Sequence, residues 1–282
     1  MGLPSLTLGR RRRKPRVLLV PDQWDGSVQE FYHFLLGYLG PVLVWLEKHP
    51  GSQIALRDCG PMQPWLDALL EGEDTWILNP GAMLHLFAGK RHRSAVLRGF
   101  DDPSRFSTRD LLAFRRIAMD RARVDVSAPA MGARPGSSSI TVIDRASSGE
   151  FNATAAAEVP ASGAAVRSVP NLASAITEIG LDSATIVDAA HLGPVEQIEL
   201  FAGTSLLIAQ HGAGLANMLW MPTGSAVVEI LPPSPEWVAP IFGNLAAALG
   251  HRHVVVPQEG PHSPVDTAAL GDAVTRVRQG SL

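Results

Sequence analysis

The stretch over residues 206–232, LLIAQHGAGLANMLWMPTGSAVVEILP, constrains the chain most. Its apolar opening, residues 206–209, reads as a buried strand that ends at Gln210 and His211. Gly212, Ala213 and Gly214 then form a turn almost without side chains. Residues 215–221 read as a helix, and residues 225–231 as a second apolar strand carrying one acid, Glu229. Strand, glycine turn, helix and strand make a βαβ unit, whose turn lies where a helix N-terminus directs unpaired backbone amides into a crevice. A diphosphate suits that position. The helix end favours an anion by ~0.3–1 kcal/mol when exposed and by up to ~2 when partly buried. The amides of Gly212, Ala213, Gly214 and Leu215 are the candidate donors, with His211 and Asn217 beside them. Glu229 is the candidate acceptor for ribose hydroxyls, the role an acid takes in dinucleotide sites. For the glycines alone, a ligand-free strand-to-helix turn is the alternative.

Strands and helices alternate along the rest of the chain, which predicts α/β halves with parallel sheets. Residues 16–20 read as the first strand. A loop through Asp22, Asp25 and Gly26 leads into a long helix over 28–48 with an apolar stripe from Phe31 to Leu46. His33 falls on the opposite side of that helix, with Gln29, Gly37 and Gly40, a small polar side suited to a cleft. Pro41 should bend the helix, because it has no amide for the carbonyl of Gly37. Further strands are expected at 52–57 and 75–78, with a short helix between them ending at Leu70. Residues 83–100 are ambiguous, and Ser107 or Thr108 caps a helix to about Arg123. Residues 127–139 are rich in Pro, Gly and Ser and read as a linker. They divide the chain into residues 1–134 and 135–282. The second part continues with strands at 140–144, 165–169, 184–187 and 253–256. Its helices are expected at 171–180, 194–201, 239–249 and 268–277.

Composition narrows the function. With 46% hydrophobic and 18% charged residues, 282 residues can bury a substantial core. A net charge of −3 gives no general attraction to nucleic acid. The single cysteine, Cys59, rules out an internal disulfide and a cysteine metal site, and suits a reducing compartment. The arginine run at 10–13 has no apolar segment after it, and no stretch is long and apolar enough to span a bilayer. A cytoplasmic location without a transmembrane segment is the expectation. The histidines lack metal-ligand spacing, so no metal is predicted.

The motif HGAGLAN, followed by MPTGSAVVEI, resembles the signature of glycosyltransferase family 61. FYHFLL around His33, the strand ending in Arg145, EQIELF with Gln197, and LAAALG near Gly250 follow the family's pattern in order. The resemblance implies a GT-B-like fold of two compact Rossmann-like domains with parallel sheets facing a cleft. The first half would bind the acceptor and the second the nucleotide-sugar. It also implies an inverting, metal-independent hexosyl- or pentosyltransferase without a cofactor, using a nucleotide-sugar, with a UDP-sugar one candidate, and a hydroxyl-bearing acceptor. Arg145 would clamp the diphosphate, Gln197 would lie near it or orient the loop, and His33 is the candidate general base, with Asp22, Asp25 and Glu30 as rivals. The sequence departs from the pattern where Asp144 replaces a Ser before Arg145 and no second Arg follows. A catalytically inactive nucleotide-binding module is therefore an alternative, and a dinucleotide-dependent oxidoreductase a more distant one.

Overall fold

A computed structural model describes residues 17–79, 93–124, 139–144 and 168–279. Two parallel sheets organise them. The first contains β1 (Val17–Asp22), β2 (Ile54–Arg57), β3 (Thr75–Leu78) and β4 (Arg93–Arg98), in the order β3-β2-β1-β4. The second contains β5 (Ser139–Ile143), β6 (Thr185–Val187), β7 (Thr204–Gln210), β8 (Ala226–Leu231) and β9 (Arg252–Pro257). Its order is β6-β5-β7-β8-β9. The central strands β7 and β8 are covered on both faces, which is why their sequences are continuous apolar runs rather than alternating ones. The α/β, GT-B-like expectation of two Rossmann-like parallel sheets holds. The expected boundary at residue 134 lies outside the described residues.

β4 occupies part of the ambiguous region. It is an edge strand whose Ala95 and Leu97 pack against the core while Val96 is exposed. Only half of its short apolar pattern is buried, and arginines flank it, so the strand signal is weak. Of the strand expected at 165–169, Ser168 and Val169 lie in a loop and the rest is outside the described residues.

The first long helix differs in register from the expected one. Residues His33–Leu39 form a π-helical segment, followed by α1 (Gly40–Lys48). The Gly40 amide reaches back five residues to the carbonyl of Leu35. In that register an amide at position 41 would reach Leu36, and Pro41 has none. The Leu36 carbonyl instead accepts the Phe100 amide at 2.9 Å. The π turn therefore opens the helix to the chain after β4. The small side carrying Gly37 and Gly40 does not face a cleft. A Cβ on Gly37 would stand 2.8 Å from the Asp101 carboxyl, and one on Gly40 would stand 2.9 Å from the Phe100 and Phe114 rings.

The two sheets share one core. Trp220 is fully buried at the end of a 3₁₀ helix, Ala213–Trp220, that follows β7. Its ring stacks on Trp65 of α2 (Gln63–Leu69), with centroids 6.2 Å apart, and meets Phe114 of α3 (Thr108–Arg121) edge-on at 5.5 Å. Arg115, the next residue of α3, donates to the Met221 carbonyl at 2.7 Å. α4 (Leu172–Glu178), α5 (Pro194–Ala202), α6 (Ile241–Leu249) and α7 (Thr267–Gln279) complete the layers around the second sheet. No helix among the described residues is long and apolar enough to cross a membrane.

Candidate active site

The glycine turn lies at the carboxyl end of β7. Gly212 has φ 151° and ψ 179°, a conformation open only to glycine. That kink turns the chain out of the sheet and into the 3₁₀ helix. The amides of Gly212, Ala213 and Gly214 make no hydrogen bond among the described residues, and the three residues are partly exposed. The Leu215 amide does not join them. It donates to the Gly212 carbonyl at 2.9 Å, because the helix begins in i→i−3 register, and Leu215 is buried. Asn217 is buried as well, and its side-chain amide donates to the Gly214 carbonyl at 3.2 Å. It shapes the turn from beneath rather than reaching a ligand.

β5 lies beside β7. A Cβ on Gly214 would stand 3.4 Å from Ile143, the last residue of β5, so the turn packs over the end of that strand. Asp144 follows, its amide donating to Val187 at 2.9 Å. Partial burial, then the charge of Asp188, push its carboxyl above the usual range. Arg145 lies outside the described residues. Gln197, on α5, is nearly buried and donates to the Leu192 carbonyl at 3.0 Å. It orients the loop before α5, the structural one of its two expected roles.

Glu229 does not meet ribose hydroxyls. It is fully buried in β8, with one carboxylate oxygen on Nδ1 of His211 and the other 2.8 Å from Nε2 of His253. Burial alone would raise its pKa. The hydrogen bonds and positive charge of the two histidines outweigh that and hold the carboxyl below its usual range. Glu229 therefore fixes the His211 ring, with Nδ1 bound inward, at the mouth of the glycine turn. His253 was invisible as a partner in the sequence, because only the parallel register of β8 and β9 brings it to Glu229.

A second histidine–carboxylate pair occupies the first half. Nδ1 of His33 lies 3.1 Å from Oδ2 of Asp101, whose side chain is fully buried. The other oxygen, Oδ1, accepts the Trp24 amide at 3.1 Å. Asp101 follows β4 directly, and the chain there is tied to β1 by the Gly99 amide on the Asp22 carbonyl, 2.9 Å. Two of the three rival acids have local duties: Asp25 accepts the Gly26 amide at 2.7 Å, and Glu30 accepts the Ser27 amide at 3.0 Å. The sequence reading missed Asp101. The available signal was Gly99-Phe100-Asp101 together with Gly37 one π turn after His33.

An aromatic bridge joins the two pairs. Tyr32 meets His33 edge-on at 5.0 Å and Phe242 of α6 at 5.8 Å, and Phe242 meets His211 at 5.0 Å. The Tyr32 hydroxyl donates to the Asp101 carbonyl at 3.0 Å. His33 and His211, far apart in sequence, thus lie on either side of one aromatic contact between the halves.

Two parallel sheets, each with a histidine–carboxylate pair near the carboxyl ends of its strands, and a glycine turn whose first amides make no hydrogen bond among the described residues, define an α/β protein of two Rossmann-like halves. The family model described as Glycosyltransferase 61 matches residues 31–228, and the chain belongs to that family. No curated protein matches it. Among solved structures, it is similar to the bacterial iron-containing dodecameric glycosyltransferase TibC from enterotoxigenic E. coli H10407. The identity is 13% and the TM-score 0.33, over 77% of this chain and 58% of that one. The chain thus spans less than two thirds of that protein's length.

Proposed function

We propose that the protein is an inverting, metal-independent glycosyltransferase moving a hexosyl or pentosyl group from a nucleotide-sugar, with UDP-sugars the first donors to try, to a hydroxyl acceptor. The observation that carries this reading is the partly exposed glycine turn at the end of β7, with three amides that make no hydrogen bond among the described residues, beside a His211 ring held from behind by Glu229. As the sugar leaves, negative charge builds on the diphosphate. Amides fixed in advance, His211 and Arg145 are the groups to stabilise it, a role a divalent cation fills in other enzymes. On the acceptor side, His33 takes the hydroxyl proton as the oxygen attacks the anomeric carbon, a contribution of about 10²–10⁴-fold for a positioned base. The first half then binds the acceptor and the second the donor, with domains near residues 1–134 and 135–282.

A mass-spectrometric assay with a panel of sugar nucleotides and hydroxyl acceptors tests the reading, alongside thermal shifts with nucleoside diphosphates and NAD(P). Transfer with one nucleotide-sugar, lost in both His211→Ala and Arg145→Ala while each stays folded, is the expected result. Wild-type turnover by either variant would remove that residue from the mechanism. Stabilisation by NAD(P) and not by any nucleoside diphosphate would overturn the donor assignment, since a ligand at ~100 times its Kd adds ~2.7 kcal/mol.

A further inference from the structure

We propose that Asp101 is the positioning residue of the acceptor base, holding His33 in the tautomer that keeps Nδ1 protonated and leaves Nε2 bare to take the acceptor proton. The inference rests on the sugar-transfer reading for its chemistry and on the geometry around Asp101 for its substance. A carboxylate only accepts, so the 3.1 Å contact from Oδ2 to Nδ1 requires the proton to sit on Nδ1. The ring cannot trade that partner for water, because Asp101 is completely buried.

Three glycines from three separate segments make room for this pair. A Cβ on Gly99 would stand 2.5 Å from Oδ1 of Asp101, and one on Gly37 would stand 2.8 Å from its Cγ and Oδ2. A Cβ on Gly26, at φ 68°, would stand 2.1 Å from Cδ2 and 2.5 Å from Nε2 of His33. Two of the glycines seat the carboxylate, and the third lets the loop before the helix pass close against the imidazole, where any side chain would collide with the ring. The Trp24 amide on Oδ1 fixes the rotation of the carboxylate, so Oδ2 has one orientation to offer. The π turn that begins at His33 opens the helix so that the chain after β4 delivers Asp101 to it.

In the reaction this implies, the acceptor oxygen forms its bond to the anomeric carbon as the bond to the diphosphate breaks. The electron pair leaves with the diphosphate. The hydroxyl proton goes to Nε2, and Nδ1 keeps its own proton, hydrogen-bonded to Asp101, while the ring carries the charge.

The direct test is nitrogen NMR of the full chain labelled with ¹⁵N-histidine, without ligand, with the His33 signals assigned by their loss in His33→Gln. The expected pattern is a protonated Nδ1 and a bare Nε2 in the wild type, reversed in Asp101→Asn, whose amide nitrogen would point its hydrogens at Nδ1. A wild-type His33 protonated on Nε2 overturns the proposal without need of any variant, as does an unchanged tautomer in a folded Asp101→Asn. In turnover, Asp101→Asn should lower kcat by about 10²–10⁴-fold with donor KM unchanged. Azide, an anionic nucleophile that carries no proton to remove, should be glycosylated by the variant at the wild-type rate. Equal losses with azide and with the hydroxyl acceptor would make Asp101 merely structural. A wild type that transfers no sugar would sink the sugar-transfer reading, and the tautomer measurement would still decide the role of Asp101.

Discussion

Glu229→Gln separates the electrostatic work of the buried cluster from its packing, since the amide fills the volume of the carboxyl. In the wild type each carboxylate oxygen serves one histidine, and the side chain has no exposure. The amide keeps one acceptor oxygen and presents a donor on the other side, so one charge-assisted hydrogen bond is lost. At about 1.5–3 kcal/mol for such a bond, the variant should unfold at lower urea by that amount at pH 7, with an unchanged m-value. The pH dependence follows from the lowered pKa of Glu229. A carboxyl depressed in the folded state contributes stability above its unfolded value, about 4.3, and loses it as pH falls through the folded value. The gap between wild type and variant should stay constant from neutral pH down to about 5 and close progressively below. Urea titrations followed by tryptophan fluorescence at pH 7 and below pH 4 would measure both quantities. A gap under about 0.5 kcal/mol at pH 7, or one that does not narrow in acid, would refute the assignment of charge to this cluster.

Two further predictions concern the turn and the shared core. Gly212→Ala forces a Cβ into a φ of 151°, so stability should fall by about 1–3 kcal/mol, and stabilisation by nucleoside diphosphates in a thermal-shift assay should disappear. A variant stabilised as strongly as the wild type would show that the turn's conformation is not what the anion recognises. Trp220→Ala empties a fully buried site between α2 and α3 and should cost about 3–5 kcal/mol, in a single cooperative transition because that core spans both sheets. Two separated unfolding transitions in the wild type would contradict the shared core.

The central unit was legible because its local signals agree. An apolar run, two glycines around a small residue, and a second apolar run name a strand, a kink and a strand whatever surrounds them. β4 was obscure because an edge strand buries only one side and its four central residues, Ser94 to Leu97, carry too little alternation. The helix after β1 was legible as a helix but not in its phase. A π turn adds a residue per turn and moves Gly37 from a notional cleft wall to the seat of Asp101, and no local composition announces that. His33, His211 and the glycines were singled out by their chemistry. Asp101 and His253 were not, because each acquires its role through a partner remote in sequence, 68 positions away for Asp101 and 24 for His253.

The positions of the two histidine–carboxylate pairs follow from the order of the strands. In the second sheet the chain runs from β5 out to β6, then crosses back to β7 on the other side of β5, so the strand order reverses between β5 and β7, where open α/β sheets take their ligands. His211 and the glycine turn follow one of these strands, and Asp144 follows the other. In the first sheet the chain runs from β1 out through β2 to β3, then returns to β4 on the opposite side of β1. The strand order reverses between β1 and β4 in the same way, and the segments after them, hydrogen-bonded to each other, hold Trp24 and Asp101, with His33 on the helix that follows the first. Each histidine thus lies beside the point where the strand order of its sheet reverses. Each histidine is held from behind at Nδ1 by a fully buried carboxylate whose other oxygen is already bonded, to His253 in one pair and to the Trp24 amide in the other. The contact of Tyr32 with Phe242 then joins the surroundings of the two pairs across the halves. Substituting Phe242 by leucine would leave the Nδ1 contact of each histidine in place and remove the aromatic link between them, so transfer should fall while donor binding holds.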